Sequence, residues 1–169
     1  MLTTQRVTTS RDINAVAVLA HEIWSQHFPP IIGQEHVDYM LEKFQGVPAI
    51  TRQIREDGYE YYLIVDEDQY TGYFALVAED EDGGPLQLSK LYLKRSSRGR
   101  GLGRAVLAWI EEECIARGVR ELWLTVNKDN ADSIAFYRRV GFGIAGSSVM
   151  DIGGGFVMDD YRMVKSVVD

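Results

Sequence analysis

The stretch RSSRGRGLGRAV, residues 95–106, places Gly99, Gly101 and Gly103 at every second position among four arginines. An apolar run precedes it and a helix-like run follows. A strand, then glycines, then a helix start turns backbone N–H groups toward an anion, because the first helical turn has unpaired donors and a partial positive charge. Phosphate suits that geometry. A P-loop would need Gly-Lys followed by Ser or Thr, whereas Gly103 is followed by Arg104 and Ala105. A dinucleotide fingerprint starting at Gly99 and Gly101 would need glycine or alanine at 104. Arg104 falls in the first helical turn, where a cation is unfavourable by about 0.3–1 kcal/mol unless an anion neutralises it. The competing reading is a glycine-rich turn with solvated arginines.

The charge balance narrows the ligand class. With 25 acidic against 18 basic side chains the net charge is −7, which argues against nucleic acid as a partner. Lys94, Arg95, Arg98, Arg100 and Arg104 nevertheless crowd into one short segment. A local basic knot in an acidic chain points to a small anion. The single cysteine, Cys114, lies in an apolar helical pattern without a metal-ligand neighbour and reads as a buried thiol; no metal is expected. No stretch approaches the 18 or so apolar residues of a membrane span, and the N-terminus lacks the basic flank and apolar run of a secretory signal. No membrane partner is expected, and the expected address is cytoplasmic.

These residues must be held by the surrounding elements. The chain has the size of one domain, residues 1–169. A first strand is expected over 2–8, then a helix over 12–28 with Ile13, Val16, Leu19, Ala20, Ile23 and Trp24 on one face and Thr9 or Ser10 as N-cap. Pro29 and Pro30 end it. A second helix carries Val37, Met40, Leu41 and Phe44, and a third runs from Pro48 to Gly58. Strands follow over 59–66, 70–79 and 85–94, the last running into the glycines. The next helix carries Leu102, Val106, Trp109, Ile110 and Cys114 and closes at Gly118. A strand over 120–127, a helix over 133–140 closed by Gly141, and two final strands complete a mixed α/β order.

Two motifs together resemble the GCN5-related N-acetyltransferase (GNAT) family. Arg98, Gly101 and Gly103 match its signature of arginine or glutamine, two residues, glycine, one residue, then glycine or alanine. NADSIAFYRRVGF, from Asn130 to Phe142, is similar to its second hallmark, an asparagine followed seven residues later by tyrosine and then Gly-Phe. The resemblance covers residues 60–164 by motif and the first 58 by layout. It implies a mixed, mostly antiparallel seven-stranded sheet, splayed between strands four and five, flanked by helices, with acetyl-CoA lying in the splay. It further implies that the backbone of Leu91, Tyr92 and Leu93 pairs with the pantetheine arm. Gly99, Arg100, Gly101, Leu102, Gly103 and Arg104 would hold the pyrophosphate, and Asn130, Ser133 and Tyr137 would flank the thioester.

Acetyl transfer to an amine needs a neutral nucleophile, a donor for the carbonyl oxygen and a proton for the departing thiolate. The donor is expected from backbone N–H groups around Leu91–Leu93. Tyr137 resembles the family's tyrosine that protonates the thiolate; its alternative is a packing residue. The fourth strand, PLQLSKLYL, has Gln87 and Ser89 where many members carry glutamates. The candidate bases are therefore Glu79, Asp80, His27, Asp159 and Asp160. The resemblance assigns the acceptor mouth to Trp24, His27, Phe28, Tyr39, Met158 and Asp160. The expected acceptor is a small-molecule primary amine, with a polyamine favoured by the acidic balance. Protein N-terminal or lysine acetylation and a non-catalytic CoA-sensing module are the other readings. The chain is expected as a monomer or homodimer.

Overall fold

Thr9 opens the first helix with a capping box. Its hydroxyl accepts from the Asp12 N–H at 3.1 Å, and the Asp12 carboxylate accepts from the Thr9 N–H at 3.2 Å. The computed structural model describes residues 2–79 and 83–167. Asp80 and the acidic residues that follow it to Asp82 lie outside the described residues. Helix α1 runs Ser10–His27 and is followed by a single turn α2, Pro29–Ile32. The two prolines thus start a short helix as well as following one, because proline at the first helical position lacks only an N–H that has no partner there. Helices α3 (Gln34–Phe44) and α4 (Val47–Glu56) follow.

The strands are β1 (Leu2–Arg6), β2 (Tyr59–Asp66), β3 (Gln69–Ala78), β4 (Leu86–Leu93), β5 (Glu121–Asn127), β6 (Gly143–Gly153) and β7 (Phe156–Ser166), with α5 over Leu102–Ala116 and α6 over Ala131–Arg139. They form one seven-stranded sheet in the order β1-β2-β3-β4-β5-β7-β6. β1 with β2, β2 with β3, β5 with β7 and β7 with β6 are antiparallel. β4 runs parallel to β5, in register at Leu86↔Leu122 and Gln87↔Trp123. A 3₁₀ turn over Arg95–Ser97 separates β4 from the glycines.

The contacts divide the chain into two compact units, one of residues up to Val77 with Lys90–Val106, the other of Ala78–Ser89 with residues from Leu107 onward. In the first, Val16, Ala20 and Ile23 of α1, Val37 of α3 and Ile50 of α4 are buried with Leu63, Ile64, Phe74 and Leu76 of the sheet. Gly72 permits close approach of β3 to β4, since a Cβ there would lie 2.2 Å from the Tyr92 carbonyl oxygen. In the second, Leu107, Ile110 and Cys114 of α5 are buried, as are Leu122, Leu124 and Met163. Burial pushes the Cys114 thiol up to about 11, out of the reactive range. Among the described residues no helix is long and apolar enough to cross a membrane.

Lys90 departs from the apolar pattern of its strand. β4 buries Leu86, Leu88 and position 90 in alternation, and there the ammonium donates to the Phe44 carbonyl at 2.7 Å, to Gln53 Oε1 at 3.2 Å and to the Tyr61 hydroxyl. Three acceptors match the three N–H bonds of an ammonium. Phe44 ends α3, so Lys90 also satisfies one of its orphan carbonyls.

Burial pushes Lys90 down to about 7 from an ordinary 10.5. Between those values the unfolded chain binds the extra proton, so the native state gains stability as pH rises through the window. The gain is roughly 5 kcal/mol at most. Lys90→Met should therefore be most favourable relative to the parent near pH 6.5 and lose that advantage toward pH 10. Tyr61, raised well above 10.0 by its own burial, does not titrate in this interval. Urea unfolding of both proteins across the range is the check, and parallel stability curves would contradict it.

Candidate active site

β4 ends at Leu93, and the chain reaches α5 through Gly99 and Gly101, both at φ +77°. Both positions look into open space, with nothing within 4 Å of an added Cβ. Backbone conformation, not crowding, requires glycine there. Gly103 differs, because it lies inside the first turn of α5. The first bond into that helix runs from the Ala105 N–H to the Gly101 carbonyl at 3.0 Å. The N–H groups of Leu102, Gly103 and Arg104 precede it and have no acceptor within the helix. Such a terminus suits a phosphate.

The arginines behave differently from a free basic knot. Lys94 pairs with Glu22 at 3.5 Å. Arg95 donates to the Gln26 carbonyl at 2.7 Å, at the C-terminal end of α1. Arg98 donates to the Leu93 carbonyl and approaches Nδ1 of His27, both at 3.2 Å. Arg100 pairs with Asp66 at 2.8 Å. Arg104 is exposed and forms no ion pair among the described residues.

Beside this loop, Trp24 stacks on Phe28 with ring centroids 4.1 Å apart, and Tyr92 meets Trp24 edge-on at 5.4 Å. His27 packs on Phe28 at 4.8 Å. Four sequence-derived candidates thus share one cluster. Trp24 and Phe28 are buried in it, with 4% and 6% exposure. Tyr39 lies on α3, where its hydroxyl accepts from Lys43 at 3.0 Å. Leu91 and Leu93 are half-buried on β4.

The second unit carries the other candidates. Asn130 is the N-cap of α6, and its side chain accepts from the Ser133 N–H at 3.4 Å. This cap starts the helix at Ala131, two residues before the sequence pattern does. Tyr137, on the same helix, packs against Phe136 and Phe142 at 5.3 and 5.6 Å. Burial pushes its hydroxyl well above the ordinary range. Met158 lies on β7 opposite Met150 of β6, and Asp160 lies opposite Asn127 of β5 and Ser148 of β6.

Asp160 is buried, and burial, reinforced by Asp159, pushes its carboxyl up to about 6. A hydrogen bond from Thr125 and the charge of Lys128 oppose the rise. Lys128 itself pairs with Asp159 at 2.8 Å. Of the other proposed bases, Asp159 holds that lysine, Glu79 is exposed, and Nδ1 of His27 faces an Arg98 N–H. β4 carries no carboxylate. Among the described residues no cluster of three His, Cys, Asp or Glu could hold a metal.

Lys90, Asp66 and Gly72 are absent from the sequence-based site. A lysine at a buried position of an apolar alternating strand was the available signal for the first. Asp66 reads as the polar last residue of the strand over 59–66.

The model of the acetyltransferase (GNAT) family matches residues 18–142. An uncharacterized N-acetyltransferase of Mycobacterium tuberculosis is 24% identical over 157 residues, 93% of this chain and 99% of that protein. Among solved structures, PaiA N-acetyltransferase from Thermoplasma acidophilum, in complex with coenzyme A, superposes with a TM-score of 0.79 at 18% identity, covering 98% of this chain and 99% of that one. Spermidine N-acetyltransferase SpeG of Vibrio cholerae, in a mutant form, gives 0.68 at 16% identity, covering 98% and 93%. At these identities the structures share the fold.

Proposed function

The chain belongs to the GNAT acetyltransferase family, and from that premise we propose that its acceptor is a primary amine of a small aliphatic polyamine such as spermidine. Acetyl-CoA-dependent N-acetyl transfer comes with the family; the acceptor and the residue roles are the proposal. Asp160 carries it. The neighbouring lysine is already paired with Asp159, and Asp160 forms no ion pair among the described residues. A buried carboxylate in that state favours a cation from solution. The net charge of −7 attracts a multiply charged one.

The loop fits the cosubstrate on its own geometry, because the open amides of Leu102, Gly103 and Arg104 and the Arg104 charge suit a pyrophosphate. Bound acetyl-CoA supplies a thioester whose acetyl group passes to nitrogen while sulfur leaves as thiolate. A backbone N–H near Leu91–Leu93 serves the carbonyl oxygen. Tyr137 keeps its proton throughout the working pH range, because burial raises it, and offers it to the sulfur, to be replaced by the proton that the attacking nitrogen sheds on becoming an amide. Asn130 and Ser133 hold the start of the helix that bears it. Asp160, at about 6, is a stronger base than an ordinary carboxylate and is still ionised at pH 7. It accepts the ammonium proton and passes it to water. Trp24, His27, Phe28, Tyr39 and Met158 complete the proposed acceptor contacts.

The pH dependence follows. Activity should fall as pH drops through about 6, where Asp160 protonates. Above that it should keep rising, because an alkyl ammonium of about 10.4 releases more nucleophile. KM for the polyamine should climb with salt, since steering charges are screened over about 8–10 Å. The deciding experiment compares spermidine and spermine with a lysine peptide and an N-terminal peptide at equal concentration, scored by CoA thiol release. Faster turnover of either peptide overturns the polyamine assignment and favours a protein acceptor.

A further inference from the structure

Arg100 is the only residue with a side chain between Gly99 and Gly101, two glycines at φ +77°. Such a tip has the freest backbone a chain can have, and a side chain is the only handle by which it can be held. That handle is engaged. Arg100 Nη2 meets Asp66 Oδ2 at 2.8 Å, with the Asp66 side chain 11% exposed and that of Arg100 49%.

The anchor is itself firm. Asp66 ends β2, in register with Leu2 of β1 on one side and Gln69 of β3 on the other. The turn beyond it has Glu67 at φ 50° and Asp68 at φ 62°, the paired left-handed conformation that matches strand twist. Lys94, Arg95 and Arg98 tie the preceding segment to α1 and to β4 itself. Among the described residues, Asp66 alone reaches the tip between the glycines through an ion pair.

We propose that Asp66 is a positioning residue for the phosphate-binding loop, and that Arg100 is a strut between them and not a ligand of the phosphates. The inference rests on the reading of residues 99–104 as that loop. A half-exposed ion pair adds little to overall stability. Its effect is to order the tip before the ligand arrives, so that binding does not have to do so.

The two roles of Arg100 predict opposite signs. For a strut, Asp66→Asn weakens CoA binding by about 5- to 30-fold, Arg100→Gln does the same, and the double variant is no worse than either single one. For a phosphate ligand, Asp66→Asn frees the arginine and tightens binding, while Arg100→Gln weakens it. Calorimetric titration with CoA reads these. Asp66→Glu, which keeps the charge, should recover most of the affinity.

A second measurement needs no ligand. Amide relaxation of residues 99–104 in the free protein should report order parameters near 0.85 in the parent, falling below about 0.6 in Asp66→Asn. Equal order in both proteins, or tighter CoA binding by Asp66→Asn, overturns the strut. A parent loop that is ordered but binds no CoA leaves the strut standing and overturns the reading of the loop as the cofactor site.

Discussion

Tyr137→Phe is expected to lower kcat by about 10²-fold while leaving acetyl-CoA affinity within a factor of two. The ring is the part that packs, against Phe136 and Phe142, and phenylalanine keeps it. Only the hydroxyl is lost. General acids contribute about 10²–10⁴-fold, most when their pKa lies near the working pH. Burial moves Tyr137 away from that optimum, and full transfer to a thiolate of parent pKa about 8.5 is uphill. Donation of a hydrogen bond as charge develops on sulfur therefore carries most of the effect, which places it at the lower end. Steady-state kinetics beside calorimetry separates the two quantities. A kcat within a factor of two of the parent would make Tyr137 a packing residue alone.

Gly101→Val should remove measurable CoA binding. A β-branched residue at φ +77° is a genuine outlier, so the backbone must rotate away from that conformation. Gly101 supplies the carbonyl that accepts the first helical bond, from the Ala105 N–H. Turning that peptide redirects the Leu102 N–H and disturbs the start of α5, whose first N–H groups have no acceptor within the helix and are the proposed phosphate contacts. The site is exposed and the added side chain meets open space, so the rest of the protein should stay folded. Circular dichroism and titration with CoA check both halves. Undiminished affinity in a folded variant would remove the loop from the cofactor site.

Local pattern was enough for much of this protein. The 3.6-residue spacing of Ile13, Val16, Ala20 and Ile23 marks α1, a cap at Thr9 or Ser10 marks its start, and the aromatic and β-branched runs mark β2 and β3. Each signal lies within a few residues of what it specifies. The alternating glycines before α5 and the spacing from Asn130 to Tyr137 are local in the same sense. They suffice for the family and for acetyl-CoA.

The destinations of the charged side chains were not local. Arg95 reaches a carbonyl 69 positions away, Arg100 a carboxylate 34 away, and Lys90 the end of a helix 46 away. Five cations in one short segment read as a site for an anion. The folded chain ties four of them to protein groups, Lys94 to Glu22, Arg95 to the Gln26 carbonyl, Arg98 to the Leu93 carbonyl and Arg100 to Asp66. Asp159 and Asp160 are adjacent in sequence, yet pleating exposes one beside Lys128 and buries the other beside Thr125. Their identical chemistry diverges because desolvation and charge pairing belong to the packed sheet, and a side chain's pKa follows its surroundings rather than its place in the sequence.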